Sequence, residues 1–257
     1  MVSADSGPPQ DFAGKTALIT GATRGIGLAI AKELAERGAR TVITARKPDE
    51  IEAAVEEIGA ATTIGVRGGA DDETHQAEAV SEAIKAFGSL DILVNNAATN
   101  PYVGPFIEAD LGVVRKTIEV NLVAPFAWAQ LAYRAWMKDH GGAILNIASV
   151  AGLRTGGSLN VYGMTKAALV YQTAQLAAEL GPDVRVNALA PAVVKTKFAR
   201  TLYEHDETAV AAPYPMKRLG TPRDIGKVAA FLLGPDAGWI TGEVVTIDGG
   251  IVAAGKG

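Results

Sequence analysis

Lys15-Thr16-Ala17-Leu18-Ile19-Thr20-Gly21-Ala22-Thr23-Arg24-Gly25-Ile26-Gly27 is the stretch that decides the fold. Residues 15–20 read as a short buried strand, and residues 26–38 as an amphipathic helix. The glycines fall at the turn between them. Gly21 allows a sharp reversal, while Gly25 and Gly27 let backbone and helix approach a pyrophosphate held by the amides of the helix N-terminus. With Thr23, Arg24 and Ile26 completing the turn, a dinucleotide is the expected ligand.

Outward from this unit the same alternation continues. Further strands are expected at 41–45, 63–67, 92–95, 143–149, 184–190 and 244–248. Helices are expected at 48–59, 72–87, 111–139, 161–180 and 222–233. Apolar strands separated by helices belong in a parallel sheet covered on both faces. The expected fold class is therefore α/β, a single-domain Rossmann-like, doubly wound parallel sheet of seven strands flanked by helices. Residues 13–257 form that domain, residues 1–12 read as a loose arm, and residues 193–218 read as a surface lid over the substrate.

Composition agrees with a folded, water-soluble chain. Its 257 residues are 48% hydrophobic and 20% charged, enough to close a core without staples. The formal charge of −4, with acids and bases interleaved, offers no field for nucleic acid or an anionic membrane. There is no Cys, which permits a reducing compartment, and residues 1–10 lack the basic flank and apolar block of a secretory peptide. A cytoplasmic location is expected, and no stretch is apolar for long enough to span a bilayer. His75, His140 and His205 show no ligand spacing, so no metal is expected.

The spacing Gly21-x-x-x-Gly25-x-Gly27, led by Thr20, has company farther along. Asn95-Asn96-Ala97-Ala98 closes the fourth strand, Asn121 lies within a helix, and Ser149 ends the fifth strand. Tyr162-Gly163-Met164-Thr165-Lys166 opens the next helix, and Pro191 to Thr196 and Asp248-Gly249-Gly250 follow. From residue 15 to about 250 the chain resembles the short-chain dehydrogenase/reductase family, including its bacterial 3-oxoacyl-[acyl-carrier-protein] reductase-like members.

Tyr162 and Lys166, four residues apart, share one helix face, so an ammonium can sit beside a phenol and, with the oxidised nicotinamide, favour its ionised form. Such a phenol protonates a carbonyl oxygen as hydride reaches the carbon, or takes the proton of an alcohol in the reverse direction. Ser149 would polarise the substrate oxygen. The resemblance further implies that Asn121 holds a water in a proton relay from Lys166, and that Lys166 contacts the nicotinamide ribose. Asn95 and Ala97 would line or support the cofactor site, with Pro191, Val194 and Thr196 near the nicotinamide. Pro191-Ala192 stands where the family usually has Pro-Gly, which predicts a differently shaped turn.

After strand two the chain reads Thr44-Ala45-Arg46-Lys47, without the acid that holds the ribose of NAD. Arg46, with Arg24, suits a ribose phosphate, so NADP(H) is favoured, with NAD(H) as the alternative. Backbone groups near Ala70, or Asp71, would meet the adenine.

Phe198, Leu202, Tyr203 and Tyr214 in the lid, with Tyr102, Leu153 and Leu159 at the rim, suit a partly apolar carbonyl compound or alcohol. Arg154 suits an anionic substrate or plain solvation. An acyl carrier protein substrate, and a catalytically silent nucleotide sensor or scaffold, are the competing readings. Helices 111–139 and 161–180 resemble the pair that family members pack across a two-fold axis, so a homodimer or homotetramer is expected.

Overall fold

The computed structural model describes residues 9–155 and 159–255. Seven parallel strands lie in the order β3-β2-β1-β4-β5-β6-β7. They are β1 (Thr16–Thr20), β2 (Arg40–Ala45), β3 (Thr63–Arg67), β4 (Ile92–Asn95), β5 (Gly142–Ile147), β6 (Val184–Pro191) and β7 (Val244–Ile247). Registers such as Leu18↔Val42 and Leu18↔Leu93 place β1 at the centre of the crossover, where the strand order reverses. Ligands of open α/β sheets bind at that point, beyond the carboxyl ends of the strands.

Side chains alternate along each strand between two cores. Ala17, Ile19, Ile43 and Val94 face one core with α1 (Gly25–Glu36), α2 (Pro48–Ile58) and α9 (Pro222–Leu233). Leu18, Val42, Leu93 and Ile144 face the other, with α3 (Glu73–Phe87), α5 (Ala124–Ala132) and α7 (Asn160–Leu180). Both faces are covered over the central strands, so β1, β4, β5 and β6 read as largely apolar runs, while the edge strands β3 and β7 are partly exposed.

Three sequence expectations need correction. The helix expected at 111–139 runs on to His140 and contains two π turns, one at Glu119–Val123 following α4 (Leu111–Ile118), the other at Tyr133–Met137 preceding α6 (Lys138–His140). A π turn carries one extra residue per turn and is frequent at functional sites. The arm is not loose over its described part: Phe12 is buried in the first core, Asp11 pairs with Arg37, and the Arg37 guanidinium lies 5.1 Å over the Phe12 ring. Residues 1–8 lie outside the described residues. The segment 193–218 is no mere surface flap either. It contains a 3-10 turn (Arg200–Leu202) and α8 (Glu207–Ala211), and Ala211, Tyr214 and Leu219 close a small core of their own with Ile251.

Candidate active site

A cleft of about 650 Å³ runs along the carboxyl ends of β1, β2, β3 and β4 to the start of α7. Gly21, Thr23, Arg24, Gly25 and Ile26 line it, and Gly21 and Gly25 adopt φ of +63° and +59°, which only glycine takes without strain. A side chain at Gly25 would also start 3.2 Å from Thr196, which lines the same cleft. The N-terminus of α1 has no side-chain cap, unlike α3, capped by Asp72, and α9, closed by the reciprocal Thr221 and Asp224 box. Its free amides suit an external anion such as a pyrophosphate. Gly27 does not line the cleft. It makes room for packing, since a Cβ there would lie 2.5 Å from Asn96 Nδ2 and 2.9 Å from the Gly21 carbonyl.

At the β4 end Asn95 supports the neighbouring elements rather than lining the cleft. Asn95 is buried and turned inward, donating to the Pro125 carbonyl (3.2 Å) and to Asn146 Oδ1 (2.9 Å), and Asn146 in turn donates to Thr173. Asn96 is the residue that faces the cleft, and its amide donates to the carbonyls of Thr20 (2.8 Å) and Gly21 (3.0 Å), bracing the glycine turn. Ala97 and Ala98 line the cleft beside it. Pro191 and Val194 are likewise buried and do not line it, whereas Thr196 does. Ala192 keeps a negative φ and donates to the Ile247 carbonyl at 3.1 Å, so replacing glycine there strains nothing.

Ala70 and Asp71 both lie on the cleft wall. The Ala70 carbonyl accepts from Gln76 Nε2 (2.7 Å) and Trp128 Nε1 (2.9 Å), and Asp71 is paired with Lys116 across the cleft mouth. Arg46 lines the far end and makes no ion pair among the described residues. Arg24 is already engaged: its guanidinium bonds Glu50 at 2.7 Å, and Lys47 bonds the same carboxylate at 2.9 Å. The sequence reading missed Glu50, because this acid comes from α2 rather than from the end of β2.

The opposite end holds the reactive group. Strand β5 stops at Ile147, two residues earlier than expected, and Ser149 starts a 3-10 turn (Val150–Gly152). Tyr162 is in the first turn of α7, with the Ser149 hydroxyl close enough to favour the ionised phenol. Ser149 Oγ itself donates to the Pro191 carbonyl at 3.5 Å and accepts from Ala151 N at 3.2 Å. Lys166, one turn on, puts its ammonium 5.5 Å from the Tyr162 ring centre and donates to the Ile147 carbonyl at 2.7 Å. Both side chains are buried. Desolvation pushes the Tyr162 phenol up to about 12 and the Lys166 ammonium down to about 7. In the chain alone burial disfavours both charged forms; the sequence expectation of an acidified phenol invokes the charge of an oxidised nicotinamide as well as the ammonium.

Asn121 lies inside the first π turn, fully buried. Its side chain accepts from Thr99 N (2.8 Å) and donates to the Thr99 carbonyl (2.9 Å) and to Thr165 Oγ1 (3.1 Å), so it ties the β4 loop to α7. Phe198 stands over the reactive end, its ring 6.1 Å from that of Tyr162, and is about half exposed. Tyr203 reaches back to the Thr196 carbonyl, while Tyr214 is buried in the lid core and Tyr102 bonds the Pro105 carbonyl. Among the described residues there is no cluster of three or more His, Asp or Glu arranged to hold a metal, and no helix long and apolar enough to cross a membrane.

A glycine turn on an uncapped helix, a cleft at the sheet crossover, and Ser, Tyr and Lys gathered at its end define a dinucleotide-dependent oxidoreductase site. Comparisons with known proteins agree. A family profile described as Enoyl-(Acyl carrier protein) reductase matches residues 21–252. Human "Dehydrogenase/reductase SDR family member 4" is 36% identical over 247 residues, covering 93% of this chain and 88% of that protein. The structure of ElxO with NADP bound superposes with a TM-score of 0.86 at 30% identity, over 93% of this chain and 99% of that one. A blue fluorescent protein from a metagenomic library, in complex with NADPH, gives 0.86 at 32%, over 94% and 99%. The chain belongs to the short-chain dehydrogenase/reductase family and is an NAD(P)-dependent oxidoreductase.

Proposed function

We propose that this enzyme interconverts a partly apolar ketone, or a similar carbonyl compound, and its secondary alcohol, with NADP(H) as redox partner. The observation that carries the reading is one cleft lined by Tyr162 and Lys166, with Ser149 beside the phenol, at one end and by Arg24, Arg46, Lys47 and Lys197 at the other. NADP and NADPH in two similar structures support the choice of cofactor. When bound, NADP(H) supplies or accepts the hydride and, in its oxidised form, adds a positive charge near the phenol.

The chain's own groups handle the proton. In reduction, Tyr162 Oη gives its proton to the carbonyl oxygen; in oxidation, the phenolate takes the alcohol proton. The Ser149 hydroxyl, beside the phenol and donating only a long 3.5 Å bond to the Pro191 carbonyl, turns to donate to the same substrate oxygen and fixes its position. Lys166, held by the Ile147 carbonyl, restores the Tyr162 proton. The Asn121 side chain is spent on Thr99 and Thr165, so its part in the relay falls to the main chain of the π turn.

Phe198, Leu153 and Leu202 present exposed apolar surface in the lid and at the turn after Ser149, as a partly apolar substrate needs. An acyl carrier protein is acidic and requires a basic landing surface. Along α7 the sole basic residue is the buried Lys166, which favours a small molecule over a carrier-linked substrate. Leu111, Val123, Phe126, Met164 and Tyr171 expose apolar surface on the helices from 111 to 140 and on α7, which supports assembly through that pair.

A panel of ketones and secondary alcohols, run with phosphorylated and unphosphorylated cofactors on wild type and Tyr162→Phe, tests the reading. NADPH-dependent turnover is expected, with kcat of the variant down by about 10²–10⁴ and its NADPH binding retained. Unchanged turnover in Tyr162→Phe refutes the acid-base role. No turnover in either direction across the panel favours the nucleotide-sensor reading.

A further inference from the structure

The fold brings a carboxylate to the end of the cleft where the sequence offers only bases. Glu50 lies in the first turn of α2 and accepts from Arg24 Nη1 (2.7 Å) and Lys47 Nζ (2.9 Å), with Thr23 Oγ1 at 3.5 Å. Lys47, Arg24 and Lys197 together hold its carboxyl below the usual range. Arg24, Arg46, Lys47, Glu50 and Lys197 all line one end of the cleft. The other acid of the lining, Asp71, is held by Lys116.

We infer that Glu50 sets how strongly the cleft distinguishes NADP(H) from NAD(H). The inference rests on the proposed placement of the cofactor's adenosine ribose beside Arg46. A ribose phosphate carries nearly two negative charges and draws on guanidinium and ammonium donors. Two of the four cations here already bond Glu50. The phosphate must share or displace those bonds, and it meets the carboxylate's own charge. A ribose without phosphate meets neither cost, and its hydroxyls are donors that a carboxylate accepts, as acids do in NAD-binding folds. Glu50 thus reduces the phosphate preference that four cations would otherwise impose, and Arg46 and Lys197 are the cations left to the phosphate.

The test is calorimetric titration of the full chain with adenosine 2′,5′-bisphosphate and adenosine 5′-monophosphate. Neither probe carries a nicotinamide, so the readout is independent of turnover. Wild type, Glu50→Gln and Arg46→Ala are compared. Glu50 is partly exposed and Asp49 remains beside it, so the substitution leaves the helix start supported. Glu50→Gln is expected to raise the bisphosphate-to-monophosphate affinity ratio by about ten-fold, the worth of one charge-assisted bond, and Arg46→Ala to lower it. A ratio unchanged or reduced in Glu50→Gln, while Arg46→Ala still lowers it, overturns the role of Glu50 and leaves the cofactor reading standing. A wild-type ratio near one that Arg46→Ala does not move overturns the cofactor reading and, with it, this inference.

Discussion

Lys166→Met is expected to stabilise the nucleotide-free protein while abolishing turnover. The ammonium is 2% exposed, and no carboxylate pairs with it among the described residues. Its one hydrogen bond goes to the Ile147 carbonyl. Burial lowers its pKa from 10.5 to about 7. The folded-state pKa is the lower one, so between about pH 7 and 10.5 the unfolded chain binds more protons, and stability rises with pH across that window. Taking those two values, burying the lysine costs about 5 kcal/mol near pH 6.5, where it is largely charged, and about 3 kcal/mol near pH 8.5, where it has given up its proton.

Methionine keeps most of the lysine's volume and carries no charge. It removes that cost but leaves the Ile147 carbonyl unpaired, a loss of about 1–3 kcal/mol. The net gain is about 2–4 kcal/mol near pH 6.5, falling by about 2 kcal/mol near pH 8.5. Urea unfolding of both proteins at the two pH values, with equal m-values, measures it. A variant less stable than wild type near pH 6.5, or a gap that does not shrink as pH rises, would refute the claim that Lys166 is held charged at the expense of the fold.

Phe12→Ala empties a core position and is expected to cost about 3–5 kcal/mol in urea unfolding, with turnover per folded molecule unchanged. A loss below about 1 kcal/mol would show that the arm does not dock in solution. Gly27→Ala places a methyl 2.5 Å from Asn96 Nδ2 and 2.9 Å from Ala22 Cα, so it should cost about 1–3 kcal/mol and weaken nucleotide binding by displacing the glycine turn. Wild-type stability together with wild-type NADPH affinity, by melting and titration, would contradict the packing described for this turn.

The central strands β1, β4, β5 and β6 are legible because they are buried on both faces, so β-branched and apolar residues dominate them; the edge strands β3 and β7 are only partly buried and are marked instead by β-branched residues between helices. Tyr162, Lys166 and the glycine turn are legible because their geometry is local: one helical turn, or one strand-to-helix reversal. Contacts across long separations are not. Glu50 meets Arg24 over 26 positions, and no spacing rule says which side of α2 reaches the cleft. Asn95 and Asn96 show the other limit. Neighbours at a strand end point to opposite sides, so even with the strand placed correctly at 92–95 the sequence does not say which of the two amides is buried and which faces the ligand. The π turn around Asn121 leaves no mark in the apolar pattern, since a single extra residue shifts the helical face only after it has passed.

What holds Ser149 against Tyr162 is backbone contact rather than side-chain packing. The 3-10 turn after Ser149 lies flush on α7: a Cβ at Gly152 would lie 2.6 Å from the Lys166 carbonyl carbon, and one at Gly163 would lie 2.6 Å from the Ala151 oxygen. Either methyl would wedge the turn off the helix and carry the Ser149 hydroxyl away from the phenol. From beneath, Asn146 donates to Thr173 and Asn95 to Asn146, so β4, β5 and α7 are tied by bonds that no water reaches. Acid-base catalysis loses its advantage when the donor sits an ångström out of place. The small residues at 152 and 163 and the buried amides are therefore as much a part of the reactive geometry as the phenol, although none of them touches substrate.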